Sequence, residues 1–156
     1  MLALDQRTVA PGARPPSRRA YRMAELVADV GALLDRLDRP VHLVGHDWGG
    51  AVAWSLAAAA PDRLASLTVL STPHPRAMAR SLARSTQLLQ SAYIGLFQLP
   101  LVPEALLRAR DGTVLRAVLR RSGLGAEHTD AYVRRLLAPG ALRASLGWYR
   151  AVPLSG

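Results

Sequence analysis

A glycine-flanked carboxylate, Asp47 in the stretch Gly45-His46-Asp47-Trp48-Gly49-Gly50, lies where a predicted strand meets a predicted helix. In so tight a turn the central residue has a strained backbone, and Gly45 and Gly49 avoid the collisions that side chains two positions away would cause. At a helix start, backbone N–H groups and the helix dipole favour an anion. Asp47 is therefore predicted to be a carboxylate held ionised in a turn of the nucleophile-elbow type. The alternative is an ordinary aspartate that caps the helix.

Four predicted elements surround this turn. Apolar residues at helical spacing predict a helix over 21–38, and the short β-branched run 41–44 predicts a buried parallel strand. The alanine-rich run 49–60 predicts a helix, and 64–70 predicts a second strand. Strand, helix and strand within about 30 residues make a βαβ unit with a parallel sheet. After Pro75 the pattern predicts short helices at 76–91, 104–121, 127–137 and 141–152.

Composition limits the class of protein. The chain has 156 residues, no cysteine, 50% apolar residues and a formal net charge of +9. It is therefore neither disulfide-built nor disordered, and one domain is the default expectation. All 20 basic residues are arginines, and they are spread along the chain without interleaved aromatic residues. This distribution predicts a basic solvated surface and no nucleic-acid binding.

One long segment, residues 85–103, carries no charge but contains three glutamines and two prolines. Those residues favour a buried or pocket-lining segment over a membrane span. The apolar start at residues 1–4 is too short for a signal peptide, and Asp5 follows at once. We therefore predict a cytoplasmic protein that has no membrane contact.

The stretch from His42 to Trp54, HLVGHDWGGAVAW, resembles the α/β-hydrolase superfamily, in the branch that contains epoxide hydrolases and haloalkane dehalogenases. In that branch the central elbow residue is Asp where lipases and esterases have Ser. The resemblance implies the fold class: α/β, with a partial α/β-hydrolase core of parallel strands and flanking helices plus a helical cap. It also implies a division into core residues 1–75, cap residues 76–152 and the start of a linker at 153–156.

Two further segments extend the resemblance towards the amino terminus and the cap. Residues 5–7 and 11–15 resemble the loop after the family's fourth strand, which implies a strand ending at Asp5; Thr8-Val9 replace the usual glycine and aromatic. Residues 64–75 resemble the strand and Pro-His-Pro turn that enter the cap, so His74 is predicted to be structural. No motif supports a role as a base for the other histidines, His42, His46 and His128.

Two tyrosines lie in segments that resemble the first and last cap segments of epoxide hydrolases, YIGLFQLP from Tyr93 and GWYR around Tyr149. The resemblance implies that both tyrosines reach the epoxide oxygen. Opening an epoxide yields a strongly basic alkoxide, which phenols with a pKa of about 10 can hydrogen-bond and protonate. A halide leaving group needs no proton, so a tyrosine pair favours the epoxide. The alternative is that both are ordinary core aromatics.

In the implied mechanism, Asp47 attacks an epoxide carbon and forms an ester, which water then cleaves to a diol. The backbone N–H of Trp48 is the implied oxyanion donor of the second step. The family also uses a His-Gly-x-Pro loop, a histidine base and an acidic partner, for which no matching residues are found here. We therefore expect a central piece of an epoxide hydrolase, truncated at both ends and without sustained turnover alone. The flanking DNA would test this.

The implied substrate is a small apolar epoxide, with water as the second reactant and with no cofactor or metal. The oligomeric state is left open. Three alternatives remain at this point. The same Asp47 could serve a haloalkane or haloacid dehalogenase, the chain could be a non-catalytic remnant or a piece completed by a partner chain, or it could be a basic interaction module.

Overall fold

The computed structural model describes residues 1–84 and 92–154. Two strands pair in it, β1 (Val41–His46) and β2 (Leu64–Leu70). The α-helices of the described residues are α1 (Met23–Leu34), α2 (Trp48–Ala59), α3 (Pro75–Arg84), α4 (Ala92–Gln98), α5 (Val102–Arg121), α6 (Ala126–Leu137) and α7 (Ala141–Ala151). Short 3-10 turns cover Arg18–Tyr21, Pro61–Arg63 and Val152–Leu154.

Two compact units make up the described chain. One, the helical unit, comprises Met1–Ala20 and Tyr93–Pro153. The other, the strand unit, comprises the described residues of Tyr21–Ala92 together with Leu154. The helical unit holds α5, α6, α7 and most of α4, whereas the strand unit holds α1, α2, α3 and both strands. The predicted division into core residues 1–75 and cap residues 76–152 stays a prediction.

The strand unit contains the predicted βαβ motif. β1 and β2 are parallel and remain in register from His42 to His46, so β1 runs two residues beyond its predicted end. α2 connects the strands and packs on both of them, and α1 packs against α2. The buried positions of the two helices recur at helical spacing, as expected for faces that cover a sheet: Leu26, Val30 and Leu34 in α1, and Val52, Ala53 and Leu56 in α2.

The helical unit is built around a small apolar core to which Leu115 of α5, Val133 of α6 and Leu142 of α7 contribute. α5 is interrupted at residues 109–112, where Ala109 is extended and the next three residues have left-handed backbones. Gly112, with a φ of 79°, is needed there, because a Cβ atom would lie 2.9 Å from Val133 Cγ1. The predicted continuous helix over 104–121 is therefore two helical segments joined by a turn.

The predicted strand ending at Asp5 is wrong for the described structure. Residues 1–6 form no strand, and the nearest pairing is an isolated bridge between Arg7 and Ala10. A single strand without a neighbour cannot pair its backbone groups, so the segment folds on itself instead. Thr8 N–H donates to Ala13 O at 2.9 Å, and Thr8 has a φ of 104°, a conformation that favours glycine.

The uncharged segment 85–103 is described only from residue 92 onwards. Its first part, and with it the end of the predicted helix 76–91, lies outside the described residues. From Tyr93 to Val102 the side chains are exposed or half-buried, and burial begins at Pro103. The segment is therefore not buried from Tyr93 to Val102, and the alternative that it lines a pocket stays a prediction. α4 is short and carries apolar residues around most of its circumference. When one face packs against the unit, apolar side chains on the other faces therefore remain exposed.

Candidate active site

Asp47 lies between β1 and α2 with a φ of 51° and a ψ of −121°. Such a backbone costs about 1–3 kcal/mol in a residue with a side chain, so surrounding contacts must hold it. Asp47 N–H donates to Leu70 O at 3.2 Å, and Asp47 O accepts Ala51 N–H at 3.1 Å. Thr72 Oγ1–H donates to Asp47 O at 2.6 Å. The turn is thus fixed both to α2 and to the end of β2.

Close packing requires glycine on both sides of the turn, against backbone at Gly45 and against side chains at Gly50. A Cβ atom on Gly45 would lie 2.5 Å from Gly49 O and 2.9 Å from Ala53 Cβ. A Cβ atom on Gly50 would lie 2.8 Å from Val69 Cγ1. A Cβ atom so close to other atoms would force those atoms to shift. Gly45 therefore packs against Gly49, as predicted. Gly50 is also required, because it packs against β2, and the sequence pattern did not predict this contact.

Gly45→Ala is expected to destabilise the strand unit by about 2–4 kcal/mol, because the new methyl group collides with backbone rather than with a movable side chain. Gly31→Ala is the matched control, since Gly31 lies inside α1 and its Cβ position meets open space among the described residues. It is expected to stabilise by about 0.5–1 kcal/mol. Urea unfolding followed by circular dichroism measures both. Equal unfolding midpoints for the two variants would contradict the assignment.

The Asp47 side chain is exposed and, among the described residues, makes no capping hydrogen bond to the first turn of α2. An ordinary N-cap aspartate accepts a backbone N–H there. The geometry therefore argues against the capping alternative. Trp48, the first residue of α2, is half-buried, and its backbone lies at the positive end of the helix dipole.

Thr72 is a site residue that the sequence did not reveal. It follows β2, and besides its bond to Asp47 its carbonyl accepts Trp54 Nε1–H at 3.2 Å. The Trp54 ring meets His74 edge to face at 5.0 Å, and His74 Nδ1 accepts Arg76 N–H at 3.2 Å. These contacts account for His74 as part of the turn into α3, with its ring packed and its Nδ1 occupied.

The remaining histidines are His42, His46 and His128. His42 Nδ1 lies 2.7 Å from Ser66 Oγ across the strand pair, on an exposed side. His46 and His128 are exposed. Among the described residues, no three histidine or carboxylate side chains are grouped closely enough to hold a metal ion.

In the helical unit, Tyr93 and Tyr149 are neighbours. Their ring centroids are 5.8 Å apart, and Phe97 lies 5.5 Å from Tyr93 and 5.0 Å from Tyr149. All three pairs meet edge to face, an arrangement that aromatic quadrupoles favour. Tyr93 is 48% exposed, and Tyr149 is half-buried. The two tyrosines predicted from the sequence to act as a pair lie 56 positions apart in the chain, and the fold brings their rings into contact.

Beside this pair lies an arginine network, which we call the Arg150 clamp: Arg150, Glu104 and the carbonyls of Phe97 and Leu99. Arg150 Nε–H donates to Phe97 O at 2.9 Å, and Nη2–H donates to Leu99 O at 2.7 Å. Nη1–H and Nη2–H donate to the two Glu104 oxygens at 2.6 and 2.9 Å. This hydrogen-bonded guanidinium holds the pKa of Glu104 below its ordinary value of 4.5, against the opposing effect of burial.

The ion pair of the Arg150 clamp is expected to stabilise the helical unit at neutral pH and to stop doing so in acid. Because the folded-state pKa of Glu104 is lowered, its contribution is fully present above 4.5 and is lost as the pH falls through the folded-state pKa. The urea midpoint of Glu104→Gln should therefore lie below that of the unmodified chain at neutral pH and approach it below pH 4.5. A difference that does not change with pH would contradict this.

A sequence model of the α/β hydrolase fold family matches residues 1–108. The chain belongs to this family. It is 38% identical to AB hydrolase superfamily protein YfhM of Bacillus subtilis over 97% of this chain and 55% of that protein. It is 33% identical to Epoxide hydrolase 4 of Homo sapiens over 96% of this chain and 44% of that protein. This α/β hydrolase chain thus spans about half the length of the curated relatives it matches.

Solved structures agree with this assignment. An epoxide hydrolase from Bacillus megaterium, crystallised with an inhibitor, superposes with a TM-score of 0.77 at 26% identity over 88% of this chain and 50% of that one. Epoxide Hydrolase A from Mycobacterium thermoresistibile gives 0.71 at 29% identity over 94% and 57%. The predicted fold class is confirmed, and both of these similar solved structures are epoxide hydrolases. No helix in the described parts of the chain combines the length and apolarity needed to cross a bilayer.

Proposed function

We propose that this chain carries the nucleophile and the proton donors of an epoxide hydrolase. Asp47 attacks an epoxide carbon, and Tyr93 and Tyr149 hydrogen-bond to the epoxide oxygen. The observation that carries the proposal is the Asp47 geometry, an exposed carboxylate on a positive-φ turn whose backbone is bonded to β2, α2 and Thr72. The relatives named as epoxide hydrolases support the substrate class.

Bond changes in the first step balance without a cofactor. One Asp47 carboxylate oxygen forms a bond to the epoxide carbon as that carbon's bond to the ring oxygen breaks. The released alkoxide takes a proton from a tyrosine phenol, so that the product is a hydroxy ester of Asp47. Edge-to-face packing of the two tyrosines against Phe97 supports this role, because it restricts the rings and so limits where each hydroxyl can lie.

The second step consumes water. Attack on the ester carbonyl gives a tetrahedral oxyanion, whose collapse restores the Asp47 carboxylate and releases the diol. The Trp48 backbone N–H, at the positive end of the α2 dipole, is proposed to stabilise that oxyanion. Activation of the water needs a base, which the resemblance assigns to a histidine with an acidic partner. No such pair is proposed among the described residues.

The test is direct detection of the ester. The chain is mixed with styrene oxide at neutral pH, quenched in acid and examined by intact mass spectrometry and peptide mapping. We expect a mass gain equal to the whole epoxide on the peptide that contains Asp47, because ring opening expels no leaving group. Phenethyl bromide is the comparison probe. If it alone modifies Asp47, with loss of bromide, the dehalogenase alternative replaces the proposal; modification scattered over exposed carboxylates would refute both.

A further inference from the structure

The two helices that carry the tyrosine pair are tied together by hydrogen bonds in both directions. From α7, Arg150 donates to the carbonyls of Phe97 and Leu99, which lie at the carboxyl-terminal end of α4. From α4, Gln98 Nε2–H donates to Tyr149 O at 2.7 Å. Arg150 is next in sequence to Tyr149, and Phe97 lies one turn along α4 from Tyr93. The spacing of the rings therefore depends on these bonds as well as on ring packing.

Glu104 fixes the orientation of the Arg150 guanidinium. Arg150 and Glu104 side chains are only 15% and 16% exposed, so their charges are largely withdrawn from water. Carbonyls at the end of α4 attract a cation, but carbonyls alone leave the charge without an anionic partner. The Glu104 carboxylate supplies that partner, and its two oxygens fix the plane of the guanidinium. Two of the four hydrogen bonds then hold Arg150 at the end of α4, and the other two join it to Glu104 of α5.

The opposite flank of Tyr149 is also fixed. Trp148 is buried, and its Nε1–H donates to Arg7 O at 3.1 Å. With Trp148 and Arg150 both bonded, α7 cannot rotate about its own axis without breaking one of the two contacts. Rotation is the motion that would swing Tyr149 away from Tyr93, because a helix carries its side chains around its axis.

We propose that Glu104 is a positioning residue for epoxide opening: through Arg150 it sets the separation of the Tyr93 and Tyr149 hydroxyl groups so that both can reach one oxygen. This inference rests on the proposed function for its chemical consequence. Its structural half, that Glu104 determines the geometry of the ring pair, stands on the clamp contacts alone. A displacement of about 1 Å in a catalytic group reduces rates roughly 100-fold, so a small movement of α7 is enough.

The test compares Glu104→Gln with Asp130→Asn. Asp130 forms an ion pair with Arg116 between α5 and α6 in the same unit, and among the described residues neither side chain has a hydrogen bond or ring contact to Tyr93 or Tyr149. Both substitutions replace a carboxylate by its amide and remove one ion pair, but the Arg116 and Asp130 side chains are more exposed, at 34% and 49%, than those of Arg150 and Glu104. At saturating styrene oxide, we expect Glu104→Gln to slow ester formation on Asp47 roughly 10- to 100-fold with the half-saturating concentration little changed, and Asp130→Asn to leave the rate unchanged.

A second readout detects the ring geometry itself. Edge-to-face rings shift each other's NMR signals, so ¹³C-labelled tyrosine spectra report the Tyr93 and Tyr149 contact directly. The chain has four tyrosines, and single Tyr→Phe variants assign the signals. Glu104→Gln should move both signals towards the values of an exposed tyrosine, whereas Asp130→Asn should not. Slower ester formation with unmoved tyrosine signals would overturn the proposal, and so would an unchanged rate.

Failure of the proposed function gives a different result. If the unmodified chain forms no Asp47 ester, the function is refuted, while the tyrosine spectra still decide whether Glu104 sets the ring pair. If Glu104→Gln does not fold, Glu104→Asp takes its place, since it keeps the negative charge but is one methylene too short to keep both bonds to Arg150. It is expected to slow ester formation about 3- to 10-fold, with the Tyr149 signal moved. A folded Glu104→Asp chain with native rate and native spectra would overturn the proposal.

Discussion

Asp47→Asn is expected to abolish ester formation with styrene oxide, with a rate at least roughly a thousand-fold below that of the unmodified chain. A neutral amide lacks the anionic oxygen that attacks the epoxide carbon, and loss of a covalent nucleophile is among the most damaging changes known in enzymes. The backbone should tolerate the change, because asparagine accepts a positive φ as readily as aspartate does. Intact mass spectrometry of acid-quenched samples measures the ester.

Asp62→Asn is the matched control for this prediction. Asp62 is an exposed carboxylate in the 3-10 turn after α2, in the same unit as Asp47. Its loss changes the net charge equally but should leave ester formation unchanged. Circular dichroism must show both variants folded. Persistence of the ester in Asp47→Asn, or its loss in Asp62→Asn, would show that the reactive carboxylate has been misassigned.

The Tyr93→Phe, Tyr149→Phe double variant is expected to open styrene oxide roughly 100- to 10,000-fold more slowly, because no phenol remains to protonate the departing alkoxide. Phenethyl bromide distinguishes the loss of proton donation from a general loss of site structure. Bromide leaves without a proton, so any residual alkylation of Asp47 by phenethyl bromide should be the same in the unmodified and double-variant chains. Rates of ester formation with both probes, measured on the same preparations, give the comparison.

Tyr132→Phe provides the control for loss of a tyrosine hydroxyl. Tyr132 is on α6 and 54% exposed, and it lies outside the ring cluster of Tyr93, Phe97 and Tyr149. Its substitution should change neither probe reaction. A double variant that still opens styrene oxide at the native rate would rule out the tyrosines as proton donors. Equal slowing of both probes would indicate a structural role instead.

Local sequence was sufficient to predict the strained turn at Asp47. The strand β2 begins and ends as predicted, because Pro61-Asp62 precede it and Ser71-Thr72-Pro73 follow it. Glycines around Asp47 predicted a strained turn, and the positive φ and the close contact of Gly45 with Gly49 O are found there. These features depend on residues that lie within a few positions of one another, which is the range that pattern reasoning covers.

Contacts between distant residues were not predictable in the same way. Thr72 reaches Asp47 across 25 positions, and Arg150 reaches Glu104 across 46. Neither separation matches a sequence pattern that predicts a contact, because only the folded chain brings the partners together. The strand expected at Asp5 failed for a related reason, since a strand forms only where a neighbour can pair with it. By contrast, Asp111-Gly112 is a turn dipeptide, and the break in α5 could have been found from it.

That break also bears on how the family can change in length. In an unbroken helix, one inserted residue rotates everything beyond it by roughly 100° and destroys the packing of the next turns. At residues 109–112 the helical hydrogen-bond ladder is already interrupted, so an insertion there lengthens a turn and rotates nothing. Glu104 precedes the break, whereas the core residues Leu115, Val133 and Leu142 all come after it in the chain. Evolution can therefore add or remove residues at this point, and an alignment of relatives should show its gaps there while both flanking segments keep their length.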